Sequence, residues 1–277
     1  MRLIKRITRA VVACSFALCA SFVVVADESP LVLNGQFTQG SLFRAQLPVG
    51  SQISLDGETL KQNAQGKFVF GFARDSKLTH TLTWTLPDGT TGKRDITLEK
   101  RDYNIQRIDG LKPSMVTPPK ETLDRINRDS ANVGKARAGV SDLDGLFTGF
   151  IWPAEGPITG VYGSQRVLNG EPKTPHYGVD VGAPTGTPVV APAAGVITLS
   201  DDLYYSGNTV ILDHGMGVYS TFLHLNESDV KVGDVLEQGD PIGKIGATGR
   251  ATGPHLDWRL NLGKMRLDPA LLVPERK

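Results

Sequence analysis

Polar side chains of the types that bind metals recur in the last part of the chain. The stretch PHYGVD places His176 four residues before Asp180, and GPHLDW places His255 two residues before Asp257. Neutral imidazole and carboxylate groups are ligands that zinc takes, and a catalytic zinc keeps one further position for water. Because alternate residues of a strand point to the same face, His255 and Asp257 would project together. The spacing is compatible with a zinc site, but for GPHLDW taken alone a hydrogen-bonded His–Asp pair in a core is the favoured interpretation.

Other polar residues of this region have weaker claims on the chemistry. His224 stands inside the otherwise apolar run STFLHL, which predicts a histidine on a strand. His214 in LDHGMG is followed closely by two glycines, which indicates a turn residue. For Arg250, support of its loop is favoured over contact with a substrate. Tyr177 and Tyr219 are candidates to line a groove on the ground of neighbourhood alone.

Short alternating runs separated by turn residues predict a mainly β protein. In residues 27–104 such runs are divided by Asp56-Gly57 and Asp88-Gly89, which are typical of hairpin turns. They predict a small antiparallel β-sandwich at the N-terminal end of the mature chain. Residues 148–277 are rich in glycine and β-branched residues and predict successive hairpins of an antiparallel sheet domain.

The intervening residues 105–147 differ in character. Prolines interrupt the chain, and the polar run KETLDRINRDSANVGKAR then favours a helix, with Thr117 as a candidate N-cap and Pro119 in its first turn. Leu123 and Ile126 give this helix a thin apolar face. We therefore expect a linker with one helix. The helix would lie on a neighbouring element or form a solvated spacer, and the spacer is the favoured interpretation.

The first 26 residues have the layout of a secretory signal peptide. The basic MRLIKRITRA precedes an apolar run and the small residues Val24-Val25-Ala26. The alternative is a membrane anchor, but a run of about 16 apolar residues is short for a span. Cleavage after Ala26 would remove both cysteines, Cys14 and Cys19, and four cations, which lowers the formal net charge from +1 to −3. The mature protein would then have no disulfide and no stable membrane span, and its charge gives no sign of nucleic-acid binding.

The order of these motifs resembles the lysostaphin-type, LytM-like zinc metallopeptidases of peptidoglycan. The text around them is similar as well, in HYGVDVGAPTGTPVVAPAAGVIT, GNTVILDHGMGVYSTFLHL and VKVGDVLEQGDPIGKIGATGRATGPHL. The resemblance covers about residues 150–270, and the N-terminal sandwich is similar, less closely, to the accessory domain of exported proteobacterial members. It implies a periplasmic zinc endopeptidase that hydrolyses peptide cross-links of peptidoglycan in a groove floored by the strand of GPHLDW.

The resemblance also implies a role for each candidate residue. His176 and Asp180 stand where the first two zinc ligands stand, and His224 and His255 stand where catalytic histidines outside the metal shell stand. Position 257 is that of the third ligand to a single zinc ion, and there this chain has Asp257 in place of the family's histidine. Carboxylate is an accepted zinc ligand. The first shell would be neutral with Zn²⁺, so we expect a weaker Lewis acid and a competent but slower or more selective enzyme.

Two alternatives stay open at this point. A metal-free, LytM-like regulator or cell-wall-binding protein would keep the groove and lose the zinc, and Asp257 is the feature that favours it. A carrier domain is suggested by hairpin-like runs around Lys244, although no turn motif displays that lysine. Peptidoglycan is the expected partner, and neither a regulatory protein partner nor the bond that is cut can be named from the sequence.

Overall fold

The computed structural model describes residues 29–108, 120–168 and 170–276. The predicted signal peptide, with Cys14 and Cys19, lies outside the described residues, as do Thr117 and Pro119 at the expected start of the helix. The fold is mainly β, as the sequence predicts, with an N-terminal β region and a larger C-terminal sheet.

Two antiparallel sheets form the N-terminal region. A three-stranded sheet has the order β1-β2-β5 and consists of β1 (Val32–Asn34), β2 (Leu42–Gln46) and β5 (Lys67–Gly71). A four-stranded sheet has the order β4-β3-β6-β7 and consists of β3 (Gln52–Leu55), β4 (Glu58–Leu60), β6 (Thr79–Thr85) and β7 (Thr91–Thr97). The inner faces of the two sheets share one hydrophobic cluster, which includes Phe43, Phe68, Phe70, Leu82 and Ile96.

Alternation along β5 explains why this region packs on two sides. Phe68 and Phe70 point into the sandwich core, whereas Val69 belongs to the core of the C-terminal sheet. Leu42 of β2 joins Val69 in that second core. The three-stranded sheet is therefore buried on both faces, because successive side chains of a strand point to opposite sides.

A small mixed sheet joins the expected linker to the C-terminal region. It consists of β8 (Ile105–Ile108), β10 (Gln165–Leu168) and β11 (Glu171–Pro172), and β8 runs parallel to β10. This pairing is the exception to an otherwise antiparallel set of strand pairs between named strands of the described ranges.

The helix α1 (Leu123–Ala136) follows a 3-10 turn at Lys120–Thr122 and docks on the C-terminal sheet. Val133 and Ala136 pack against an apolar cluster of that sheet, and the buried Asp129 accepts a hydrogen bond from the Tyr204 backbone N–H at 2.8 Å. Leu123 is exposed. The prediction of a solvated spacer is wrong for this helix, because Val133 and Ala136, in its last turns, pack on the sheet. No helix of the described ranges is both long and apolar enough to cross a bilayer.

Ten strands form the C-terminal sheet. Its main path has the order β17-β14-β15-β16-β19-β12-β9. These strands are β9 (Ile158–Gly160), β12 (Gly178–Gly182), β14 (Gly195–Leu203), β15 (Gly207–Gly215), β16 (Val218–Ser228), β17 (Val235–Leu236) and β19 (His255–Leu262). Beside the path, β13 (Pro188–Val190) pairs with β18 (Pro241–Ile245), β18 also pairs with β16, and β20 (Met265–Leu267) pairs with β19. Two further 3-10 turns lie at Gly145–Phe147 and Pro269–Leu272.

One face of this sheet forms its main core. Val179 and Val181 of β12 and Leu256, Trp258 and Leu260 of β19 are buried there. The residues between them on the two strands therefore point to the opposite face. That face bears the candidate site, and α1 packs on it farther along, over β14 to β16.

Candidate metal centre

The pairing of β12 with β19 brings the candidate residues together. Asp180 stands directly opposite Asp257, and Gly182 stands opposite His255. All lie on the face away from the main core, and His176 precedes β12 by two residues. Like charges directly opposite each other on paired strands are destabilising. The register thus places two carboxylates where a cation between them would lower the free energy of the folded protein.

The donor atoms of His176, Asp180 and Asp257 all lie within 4.8 Å of one another. His176 Nε2 and Asp180 Oδ1 are 3.2 Å apart, and both are buried atoms without a hydrogen-bond partner. Leaving a buried donor or acceptor unsatisfied costs about 1–3 kcal/mol. An orphaned imidazole nitrogen beside an orphaned carboxylate oxygen, with a second carboxylate in reach, fits the ligand set of a divalent metal such as zinc.

The strand next to Asp180 leaves space for its carboxylate. Gly160 of β9 is the cross-strand partner of Asp180. A Cβ at Gly160 would lie 2.1 Å from Asp180 Oδ2 and 2.7 Å from its Cγ, which is closer than real Cβ atoms come. Glycine at this position therefore lets the carboxylate lie across the sheet surface.

A β-bulge turns His224 toward the same site. Phe222 and Leu225 of β16 both belong to the main core, and the register shifts between them, so two residues rather than one separate two core positions. His224 has φ of 64°, in the left-handed region that non-glycine residues seldom adopt. The extra residue re-aims the side chain, as bulges do near functional sites. As a result the His224 and His255 rings lie 4.8 Å apart between centroids.

Both of these histidines are held through one ring nitrogen. His224 Nδ1 lies 2.8 Å from the Thr248 carbonyl oxygen, and His255 Nδ1 lies 2.8 Å from the Gly253 carbonyl oxygen. A carbonyl accepts only, so Nδ1 carries the proton in each neutral ring and Nε2 keeps a free lone pair. His255 Nε2 is 4.0 Å from Asp180 Oδ1. The pair can therefore accept protons at the edge of the candidate metal centre.

Arg259 is a site residue that no motif in the sequence indicated. It follows Asp257 by two residues on β19 and donates from Nε to both carboxylate oxygens, at 3.0 Å each, and from Nη2 to Oδ2 at 2.5 Å. The spacing of two along a strand was the available signal, since it places both side chains on one face. Asp257 therefore has a fixed orientation in the protein.

Burial and these charges shift the pKa values of the site. Burial opposes charge on His176, but the nearby carboxylates of Asp180 and Asp257 outweigh it and raise the pKa of His176. Burial lowers the pKa of His224, against its bond to the Thr248 carbonyl. For Asp257, burial alone would favour the neutral acid, but Arg259 outweighs it and lowers the pKa. Asp257 is thus an anion at neutral pH, whereas His224 is a neutral base.

The other polar residues singled out in the sequence of this region make contacts of a structural kind. His214 is the penultimate residue of β15 rather than part of a turn, and it is fully buried between the Ala194 carbonyl oxygen and Ser220 Oγ, so the prediction of a turn residue is wrong. The Arg250 guanidinium lies 4.5 Å from the Tyr205 ring centre, and the Tyr219 hydroxyl donates to the Gly139 carbonyl oxygen. The Tyr177 ring lies 6.1 Å from the Tyr162 ring.

Lys244 does not have the surroundings of a carrier lysine. It lies within β18 and forms an ion pair with Glu227 of the adjacent β16 at 2.5 Å. A lysine that receives a prosthetic group would instead stand at a tight turn. The carrier alternative is therefore set aside.

Comparison with known proteins identifies the class of this domain. Residues 174–269 match Peptidase family M23. A crystal structure of a protein from Pseudomonas aeruginosa assigned to peptidase M23 superposes with a TM-score of 0.62 and 28% identity, over 86% of this chain and 95% of that one. The chain therefore contains a domain of peptidase family M23.

Curated relatives match over the same part of the chain. The peptidoglycan DD-endopeptidase ShyA of Vibrio cholerae is 37% identical over 110 residues, which are 37% of this chain and 26% of ShyA. The DD-carboxypeptidase/endopeptidase Mpg of Neisseria meningitidis is 41% identical over 103 residues, 36% of this chain and 24% of Mpg. The chain thus spans about a quarter of the length of these relatives.

Proposed function

We propose that this protein is a zinc-dependent endopeptidase that hydrolyses peptide cross-links of peptidoglycan. The observation that carries the proposal is the cluster of His176, Asp180 and Asp257, in which an imidazole nitrogen and a carboxylate oxygen are buried without hydrogen-bond partners. Its setting in a domain of peptidase family M23, and the peptidoglycan endopeptidase activity named for ShyA, support the substrate class.

His176, Asp180 and Asp257 would hold the metal, one ion per chain. When bound, zinc polarises a scissile carbonyl and makes a bound water more acidic. His224 and His255 border this position with their Nε2 lone pairs available. One of them would accept the proton of the attacking water at Nε2 and return it to the leaving amine. The other, in its protonated form, would donate a hydrogen bond from Nε2 to the oxygen on which negative charge develops.

Burial of His224 suits it to the basic role. Its lowered pKa keeps the ring neutral at neutral pH, which leaves Nε2 free to take a proton. The Thr248 carbonyl then stabilises the protonated ring through Nδ1. The left-handed backbone conformation of His224 directs its ring toward the site.

We also propose that the protein acts in the periplasm after removal of residues 1–26. The basic and then apolar layout of that segment supports export. The relatives' substrate, peptidoglycan, lies outside the inner membrane. Residues 27–104 would serve as an accessory domain, residues 105–147 as the connection and residues 148–277 as the peptidase domain.

The decisive experiment combines metal content with digestion. The protein without residues 1–26 is purified, supplied with zinc and dialysed, and its metal is measured beside that of Asp257→Ala. About one zinc per chain in the parent and a large loss in the variant is the expected result, together with release of un-cross-linked fragments from purified peptidoglycan. Zinc-loaded protein that leaves every cross-link intact would overturn the endopeptidase proposal.

A metal-free binding protein is the second candidate, and one contact favours it. Arg259 already supplies a positive charge to Asp257, so that carboxylate does not depend on a metal. His176 Nε2 and Asp180 Oδ1 weigh against it, because Arg259 satisfies neither atom. Absence of zinc from the parent protein after metal loading, with retained binding to peptidoglycan, is the result that would favour this candidate.

A further inference from the structure

We infer that Arg259 is a positioning residue of the metal centre, which holds Asp257 in its ligating orientation and offsets its negative charge. The inference rests on the proposed function, because it concerns how the same site binds its metal. It assigns a role to a residue that touches none of the reacting atoms. It also explains how a carboxylate can occupy position 257.

The contact between the two side chains fixes the carboxylate plane. Three N–H···O contacts of 2.5–3.0 Å join the planar guanidinium to both oxygens of Asp257, whose side chain is only 4% exposed. A planar fork matched to a carboxylate is the geometry that arginine provides and lysine does not. Buried in this way, Asp257 has no solvent to orient it, and Arg259 does so instead.

The same contact leaves Asp257 able to bind a metal. Oδ1 accepts one of the three contacts, whereas Oδ2 accepts two. Since a carboxylate oxygen has two lone pairs, Oδ1 keeps one. The donor atoms of His176 and Asp180 lie within 4.8 Å of the donor atom of Asp257.

Charge gives Arg259 its second role. Asp180 and Asp257 together cancel the charge of a divalent metal, and they stand directly opposite each other on paired strands. The guanidinium returns one positive charge to the centre. The weaker Lewis acid expected from the sequence is therefore offset, because an aspartate bonded to an arginine carries about the net charge of a neutral imidazole.

The sheet has room for this pair at one position. Gly178 of β12 is the cross-strand partner of Arg259. A Cβ at Gly178 would lie 2.3 Å from Asp257 Oδ1 and 2.7 Å from Arg259 Cγ. The absence of a side chain at residue 178 therefore lets the arginine lie along the sheet and reach back to the aspartate.

The first test measures the dissociation constant for zinc by competition with a chelator, in the parent protein, Arg259→Gln and Arg259→Lys. Removal of a group that orients a ligand weakens metal binding by about 10- to 100-fold, and we expect that loss in Arg259→Gln. Arg259→Lys keeps the charge without the fork and should fall between the two. Unchanged zinc binding in Arg259→Gln would overturn the inference while leaving the proposed function intact.

A matched control separates orientation of the metal ligand from general stability. Arg101 and Asp268 form a second arginine–aspartate pair, at 2.8 Å, and the side-chain exposures of 26% and 4% nearly equal the 28% and 4% of Arg259 and Asp257. Arg101→Gln should lower the thermal midpoint as Arg259→Gln does, but it should not change the dissociation constant for zinc. Equal weakening of zinc binding in both variants would mean that lost stability is the cause.

A change of the ligand itself covers the case in which Arg259→Gln does not fold. A histidine at position 257 would be a neutral ligand that needs no compensating charge. In the Asp257→His background, Arg259→Gln should therefore leave zinc binding equal or make it tighter, which reverses the sign of its effect. A loss of 10-fold or more in that background would contradict the inference, and a parent protein that binds no zinc would overturn both this inference and the proposed function.

Discussion

Two histidine–aspartate pairs, one in each β region, differ in how completely they are satisfied. In the N-terminal sandwich, His80 Nδ1 lies 2.7 Å from Asp56 Oδ2 and Nε2 lies 2.9 Å from the Lys77 carbonyl oxygen. Asp56 Oδ1 also accepts from the Thr81 backbone at 2.9 Å. In the C-terminal sheet, His176 Nε2 and Asp180 Oδ1 lie 3.2 Å apart and have no hydrogen-bond partner.

The difference separates a structural pair from a candidate functional pair. Buried polar groups are normally hydrogen-bonded, and each exception calls for an explanation such as an ion. Both ring nitrogens of His80 and both carboxylate oxygens of Asp56 have hydrogen-bond partners. His176 and Asp180 each keep one potential metal-ligand atom without a hydrogen bond, and both atoms lie close to the potential ligand atom of Asp257. Residue types alone do not distinguish the pairs, since both consist of one histidine and one aspartate.

The largest expected effect comes from replacing the aspartate of each pair. Asp180→Asn removes an anionic ligand, so we expect loss of zinc and a fall of peptidoglycan digestion to background. Asp56→Asn is the matched control, which should cost about 1 kcal/mol or less of folding free energy, because its ion pair is partly exposed, and should leave zinc and activity unchanged. Metal content and digestion of both variants are measured together. Full activity in Asp180→Asn would remove the distinction drawn between the pairs.

The second effect concerns the histidines that border the metal centre. His255→Gln and His224→Asn remove a proton-accepting ring, and general acid–base groups contribute about 10²- to 10⁴-fold to rate. Asparagine at 224 tolerates the left-handed backbone, so the bulge should persist. We expect kcat to fall by such a factor while zinc content stays at the level of the parent. Parallel loss of zinc would instead make these residues ligands.

A third effect uses pH to contrast buried histidines. Burial lowers the pKa of His214 to about 4, below its unfolded value, so the folded state binds fewer protons in between. The stabilising contribution is full above about pH 6.5 and is lost as the pH falls toward about 4, with a total of about 3 kcal/mol. Denaturant titrations between these pH values should show a smaller pH dependence in His214→Gln than in the parent.

The raised pKa of His176 has the opposite sign in metal-free protein. Its contribution is present below the unfolded pKa and is lost as the pH rises through the folded one. His176→Gln should therefore reduce stability at acid pH more than at neutral pH. Denaturant titrations in the presence of a chelator check this, and a larger loss at neutral pH would contradict the assigned direction.

The smallest effect is the stabilisation that zinc itself provides. At a free concentration of 100 times its dissociation constant, a ligand that binds only the folded state adds about 2.7 kcal/mol to the free energy of unfolding. Zinc should stabilise the parent and Asp56→Asn by the same amount and should not stabilise Asp180→Asn. Equal stabilisation of all three proteins would indicate zinc binding elsewhere.

Much of the fold and part of the site were predictable from local patterns. The alternation around Phe68 and Phe70 predicts the sandwich core, because side chains of a strand alternate with a period that is visible in the sequence. The spacing of two in GPHLDW predicts that His255 and Asp257 share a face, for the same reason. The docking of α1 was not predictable, because Val133 and Ala136 pack on strands more than sixty residues farther along the chain.

Sequence alone determined which side chains were available, and tertiary structure decided how they are used. Asp180 lies opposite Asp257 because β12 pairs with β19 in one particular register. Both strands determine that register, although they are far apart in the chain. His224 would face the core by simple alternation, and the bulge between Phe222 and Leu225 turns it to the site. Arg259 fixes the orientation of the Asp257 carboxylate. The absence of a side chain at Gly178, on the neighbouring strand, leaves room for both side chains. Periodicity is a property of one strand, whereas register, bulges and the sharing of charge arise only when strands pair.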